Sequence, residues 1–137
     1  MDNLQWLTNY QPLICAMAVM AGLMILQLLI ADFVGIRAKH KPGATIEADH
    51  AVFLFRASRA LANTNESIAI FILLATSGIL AQAHSGWLCG TAWIYVAGRI
   101  GHMLMYYANQ SMLRSVFFGV SVIGLILMLG GVILALC

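Results

Sequence analysis

The chain has 137 residues, of which 62% are hydrophobic and 9% charged, with a mean hydropathy of +0.92. A soluble domain carries about 25% charged residues, so this composition excludes a water-covered globule and requires lipid as solvent. The net charge of +2 forms no basic stripe on a soluble surface, which excludes a nucleic-acid footprint.

The leading segment is acidic at Asp2 and has no Lys or Arg before the first apolar run. That run is too long for the core of a signal peptide and lacks its positive flank, so it reads as a retained span from about Pro12 to Gly35, with Pro12 suited to a helix start. A spanning helix needs about 20 mostly apolar residues. A second span is expected from about Ala51 to Gln82, a third from about Trp87 to Asn109 and a fourth from about Val116 to Cys137. The apolar runs are continuous rather than alternating, which excludes a β-barrel, the other structure that spans membranes. The expected fold is all-α: an integral membrane four-helix bundle forming a single domain over residues 1–137.

The seven Lys and Arg residues all lie between Arg37 and Arg114. The first loop holds Arg37, Lys39 and Lys41, the second (near His84, Ser85 and Gly86) has no Lys or Arg, and the third contains Arg114. Basic residues in short loops mark the cytoplasmic side. Loops one and three are therefore expected inside and both termini outside, with Trp6, Tyr10 and Trp87 at the outer interface. A compact chain with no extra tail is expected of a bacterial inner-membrane protein. Cys15, Cys89 and Cys137 lie in or beside apolar runs without metal-ligand spacing and read as small buried hydrophobes.

Charge inside a span costs at least about 2.5–3.5 kcal/mol per residue at the helix centre, so the polar residues within the second and third spans need a reason. At about 100° per residue, Arg59, Asn63 and Glu66 share one face of the second span, with Arg56 on its flank. Arg99, His102 and Tyr106 share one face of the third, and Gln110 extends that stripe. Both stripes lie toward the basic-loop end, where they can face each other or a neighbouring subunit. One reading is a buried ion-pair network in which Glu66 neutralises Arg59 or Arg99. Five basic residues against the single intramembrane acid Glu66 favour instead an anionic ligand, because arginine forks bind carboxylates bidentately. Glutathione is one such anion: Arg56 and Arg59 suit its carboxylates, Glu66 its ammonium, Asn63 a peptide group, and Tyr106 a hydrogen bond or stack. No second His or Cys shares the face of His102, so no metal site is expected.

The segment Phe55-Arg56-Ala57-Ser58-Arg59-Ala60-Leu61-Ala62-Asn63-Thr64-Asn65-Glu66 resembles the second-helix signature of the MAPEG proteins, membrane-associated proteins in eicosanoid and glutathione metabolism. Ala97-Gly98-Arg99-Ile100-Gly101-His102, Tyr106 and Leu113-Arg114-Ser115-Val116 resemble their third-helix region. The likeness is greatest to the microsomal prostaglandin E synthase and glutathione transferase branch, from which Leu61 and Ala62 depart by replacing polar residues. The stretch from Tyr106 to Arg114 is one residue shorter than in that branch, a rotation of about 100° on an ideal helix.

The resemblance implies a homotrimer of four-helix subunits binding glutathione between subunits near the cytoplasmic side. By motif position it implies glutathione contacts from Arg37, Arg59, Asn63, Glu66, Arg99, His102 and Tyr106. It assigns Arg114 to thiol activation, with Ser115 beside it. The implied function is a glutathione-dependent membrane transferase or peroxidase, its apolar substrate entering from lipid. Two alternatives remain: a non-catalytic lipid-binding or scaffolding protein of the same fold, and a small proton-coupled exporter, which would favour an isolated membrane acid over a Glu66 set close to Arg59 and Asn63.

Overall fold

The structure is a computed structural model that describes the backbone from Asp2 to Cys137 and side chains from Trp6 onward. The Asp2 side chain of the acidic leading segment lies outside the described residues. A short 3-10 turn, Asp2–Tyr10, leads into four helices: α1 (Gln11–Arg37), α2 (Phe53–Leu80), α3 (Ser85–Tyr107) and α4 (Ser111–Leu136).

Local chemistry sets these boundaries. Pro12 sits in the first turn of α1, where a missing N–H leaves no helical bond unmade. The first three helices end in the same way, with a residue in the left-handed region just past the cap: Lys39 (φ 54°), Gln82 (φ 51°) and Asn109 (φ 57°). After α1, Lys39 N–H donates to Ile36 O and His40 N–H to Gly35 O, both at 3.0 Å. The turns after α2 and α3 repeat this pair of bonds, which satisfies carbonyls the helix itself leaves open.

Three helical segments, Trp6–Arg37, Phe53–Leu80 and Ser111–Leu136, are long and apolar enough to cross a membrane. The third expected span, α3, is long but carries Arg99 and His102 on a buried face. It runs along the middle of the bundle, packed against α1, α2 and most extensively α4. The chain is thus an integral membrane protein with several apolar helices. Its outer surface fits a lipid solvent: Leu29, Leu73 and Leu134 are 60%, 67% and 82% exposed, an apolar belt that water would not tolerate.

The core gathers Leu13 and Met20 of α1, Phe71 of α2, Leu88, Tyr95 and Val96 of α3, and Met128 of α4. The α3–α4 contact is the closest. A Cβ added at Gly98 would lie 2.6 Å from the Ser121 backbone N, and one at Gly124 2.7 Å from the Tyr95 N, so only glycine allows this approach. Gly131 likewise faces Trp87, whereas its neighbour Gly130 has nothing within 4 Å. The cysteines divide similarly: Cys89 is buried, but Cys15 and Cys137 are exposed on the outer surface rather than buried.

Two ends of the bundle follow from cross-links. At one end the Tyr10 hydroxyl donates to Ala83 O and the Trp87 indole N–H to Leu127 O at 2.9 Å. At the other, loop one folds back over the α3–α4 turn, with His50 against Tyr106 and Arg114. The polar residues of α2 and α3 lie toward this second end.

Candidate functional site

Arg99 anchors the site. Its side chain is fully buried, and Nη2 donates to Asn63 Oδ1 at 2.9 Å and Thr64 Oγ1 at 3.0 Å across the α2–α3 seam. The Thr64 hydroxyl donates to Ala60 O at 3.1 Å, so its oxygen is oriented to accept from Arg99. Asn63 Nδ2 reaches Glu66 Oε2 at 3.4 Å. Glu66 therefore meets Arg99 through Asn63, not as the direct ion pair open at the sequence level. One turn deeper, Ser67 links to the Tyr95 hydroxyl at 2.9 Å and Tyr95 stacks on Phe71 with centroids 4.5 Å apart, which fixes the wall on which Arg99 stands.

The remaining guanidinium nitrogens, Nε and Nη1, are buried and have no hydrogen-bond partner among the described residues. Charged donors in a bundle interior are normally satisfied, so these two N–H groups stand out as exceptions. Arg99, Asn63 and Glu66 line one end of a cleft of about 440 Å³ between α2, α3 and α4. Apart from Ser67 and Ser121, the rest of that cleft is apolar, formed among others by Ile70, Leu74, Leu125 and Leu129.

His102 and Tyr106 continue the stripe on α3 and are both buried, with ring centroids 5.0 Å apart in an edge contact. The Arg114 guanidinium lies 4.4 Å from the Tyr106 centroid, a cation–π distance. Arg114 stands in the first turn of α4, not in the loop, because α4 starts at Ser111, ahead of the expected Val116. The residues before Val116 are polar enough to escape a hydropathy window yet continue the helix. Ser115 is exposed, and its hydroxyl donates back to Ser111 O at 3.2 Å. Gln110 does not extend the α3 stripe, since α3 ends at Tyr107 and Gln110 caps α4.

Three arginines make no side-chain hydrogen bond or ring contact with this group among the described residues. Arg59 is exposed on α2 with no polar partner among the described residues. Arg37 is exposed at the end of α1, its guanidinium 5.2 Å from the Phe33 ring of its own helix. Arg56, offered above for a ligand carboxylate, is committed elsewhere: Nη1 donates to His50 O at 2.6 Å and Ala51 O at 2.9 Å. Its helical angle placed it beside the polar face, but the returning loop offers it carbonyls. His50, at the end of loop one, has no motif to mark it. Only the fold brings it to the site.

A model of the MAPEG family matches residues 13–134, which takes in every residue of this candidate site. The chain belongs to the MAPEG family. No curated protein matches it. MAPEG proteins include glutathione-dependent transferases and peroxidases as well as related membrane proteins. In this MAPEG chain the polar residues form two clusters along the α3 stripe: Arg99 with Asn63, Thr64 and Glu66, and Tyr106 with His102, Arg114 and His50.

Proposed function

We propose that this MAPEG protein is a glutathione-dependent membrane transferase or peroxidase that readies the glutathione thiol for attack on a hydrophobic electrophile. The observation that carries it is Arg99: a buried cation held by Asn63 and Thr64, with two N–H groups unpartnered among the described residues, lining a largely apolar cleft. These residues fit the ligand. Arg99 offers donors to a carboxylate or peptide oxygen, and Glu66 an acceptor to an ammonium. When bound, glutathione supplies the thiol nucleophile.

The chain's own residues divide the remaining work. Asn63 orients both Arg99 and Glu66. His102 and Tyr106 continue the polar stripe toward the bundle end. Arg114 contributes a positive charge, which favours a thiolate over a thiol near it, and Tyr106 holds that charge in place through its ring. Ser115 is the neighbouring hydroxyl. The apolar side of the cleft admits a hydrophobic substrate from lipid.

Arg37 and Arg59 are exposed and separate from the Arg99 cluster. Their place in the reading requires an assembly, a homotrimer with the site between subunits, in which a neighbour brings these guanidiniums to the polar seam. In that arrangement all four helices span the membrane, with loops one and three cytoplasmic, both termini external, and the bacterial inner membrane as setting.

Titration calorimetry of the detergent-solubilised protein with glutathione tests the binding half of this proposal. Saturable heat is expected. Its absence would remove glutathione and leave the cleft as a lipid site.

A further inference from the structure

Loop one presents a histidine to the arginine assigned to the thiol, and this contact is built rather than casual. Asp49 Oδ1 accepts from Ala51 N–H at 2.8 Å, and Val52 N–H donates to Asp49 O at 3.1 Å, closing a turn around His50. Arg56 clamps the turn from α2 by donating to the carbonyls of His50 and Ala51. The His50 ring is then held on two sides, edge-on to Phe55 at 5.0 Å and stacked on Tyr106 at 6.4 Å with planes 21° apart. Its Nδ1 stands 3.5 Å from Arg114 Nη1. Tyr106 thus carries both the Arg114 cation and the His50 ring.

The donor inventory says what this contact requires. A guanidinium can only donate, so a hydrogen bond between the two requires His50 Nδ1 to accept, with the ring hydrogen on Nε2. A protonated imidazole has no lone pair left and would set a second cation beside the first. Histidine is the side chain that changes charge between pH 5 and 8. The charged and titratable groups around it are Asp49 of its own turn, Arg56 of α2, Tyr106 of α3 and Arg114 of α4.

We propose that His50 is a positioning residue for Arg114: its neutral ring holds the guanidinium over Tyr106, and its protonation releases it, so that thiol activation fades on acidification. This rests on the assignment of Arg114 to the thiol under the proposed function.

The test compares wild type, His50→Gln and His50→Ala in detergent. Thiolate absorbance at saturating glutathione is followed from pH 8 to pH 5.5, with 15N NMR of labelled histidine in the glutathione-free protein. Wild type should show the Nε2–H tautomer for His50 at high pH. His50→Ala should lose about three- to tenfold in thiolate formation at pH 8, the size of one ordinary hydrogen bond. His50→Gln, which keeps an acceptor and cannot titrate, should recover most of that loss and retain more thiolate than wild type at the acid end. Unchanged thiolate in His50→Ala, no recovery in His50→Gln, or an Nδ1–H tautomer would each overturn the proposal. A wild type that forms no thiolate yet shows the Nε2–H tautomer, lost in Arg114→Ala, would sink the glutathione reading while leaving the His50–Arg114 contact intact.

Discussion

Asn63 on α2 and Arg99 on α3 meet at 2.9 Å across the seam between their helices, and the same amide reaches Glu66 with its nitrogen. One neutral side chain thereby sets the places of a buried cation and an exposed carboxylate. Arg99 depends on Asn63 and Thr64 for its hydrogen bonds within the chain. Thr64→Val should therefore destabilise the bundle by about 1.5–3 kcal/mol, the range for hydrogen bonds to charged groups. Thr64→Ser should cost much less. Thermal unfolding in a fixed detergent compares the two, and equal stabilities would show that Thr64 only fills space.

The α3–α4 contact makes a separate demand on stability. Gly124→Ala would place a methyl 2.7 Å from the Tyr95 backbone N, and Gly98→Ala 2.6 Å from that of Ser121. Backbone cannot swing aside, so each substitution should cost about 1–3 kcal/mol or more by overpacking. Gly119→Ala, with nothing within 4 Å, should be close to neutral. The same unfolding assay separates them.

Much of this arrangement is legible in the sequence, for reasons that particular residues make plain. The i, i+3, i+7 spacing of Arg99, His102 and Tyr106 places them on one helical face, and all three are buried together on α3. The facing of α2 and α3 follows because polar groups inside a bundle must satisfy one another. Helix angles fail where a residue answers to something off the helix. Arg56 turns to loop-one carbonyls. Arg114 belongs to α4 rather than to a loop, because hydropathy marks lipid contact and not helix continuity. His50 carries no pattern of its own, and its place arises only when the loop closes over Tyr106.

Glutathione affinity should respond to the exposed charges on the polar face. Arg59→Ala and Glu66→Ala should each weaken binding by about 1.5–3 kcal/mol, roughly 10- to 150-fold. Calorimetry reads the change directly. Wild-type affinity in both variants would move the ligand off α2.

The exposure of Arg37 and Arg59, away from Arg99, ties the proposed site to assembly. Native mass spectrometry in mild detergent should find a trimer. A monomer that binds glutathione with undiminished affinity would rule out a site shared between subunits.

Ultraviolet thiolate absorbance at saturating glutathione, compared between wild type and Arg114→Ala, bears most directly on the proposed chemistry. Arg114 sits over Tyr106 at 4.4 Å and is the cation assigned to the thiol, whereas binding is assigned to Arg99, Asn63 and Glu66. Wild type should develop the thiolate band and turn over a generic aromatic electrophile. Arg114→Ala should still bind glutathione but lose both signals. A full band and full turnover in Arg114→Ala would contradict the assignment, and a wild type with neither would contradict the enzyme itself.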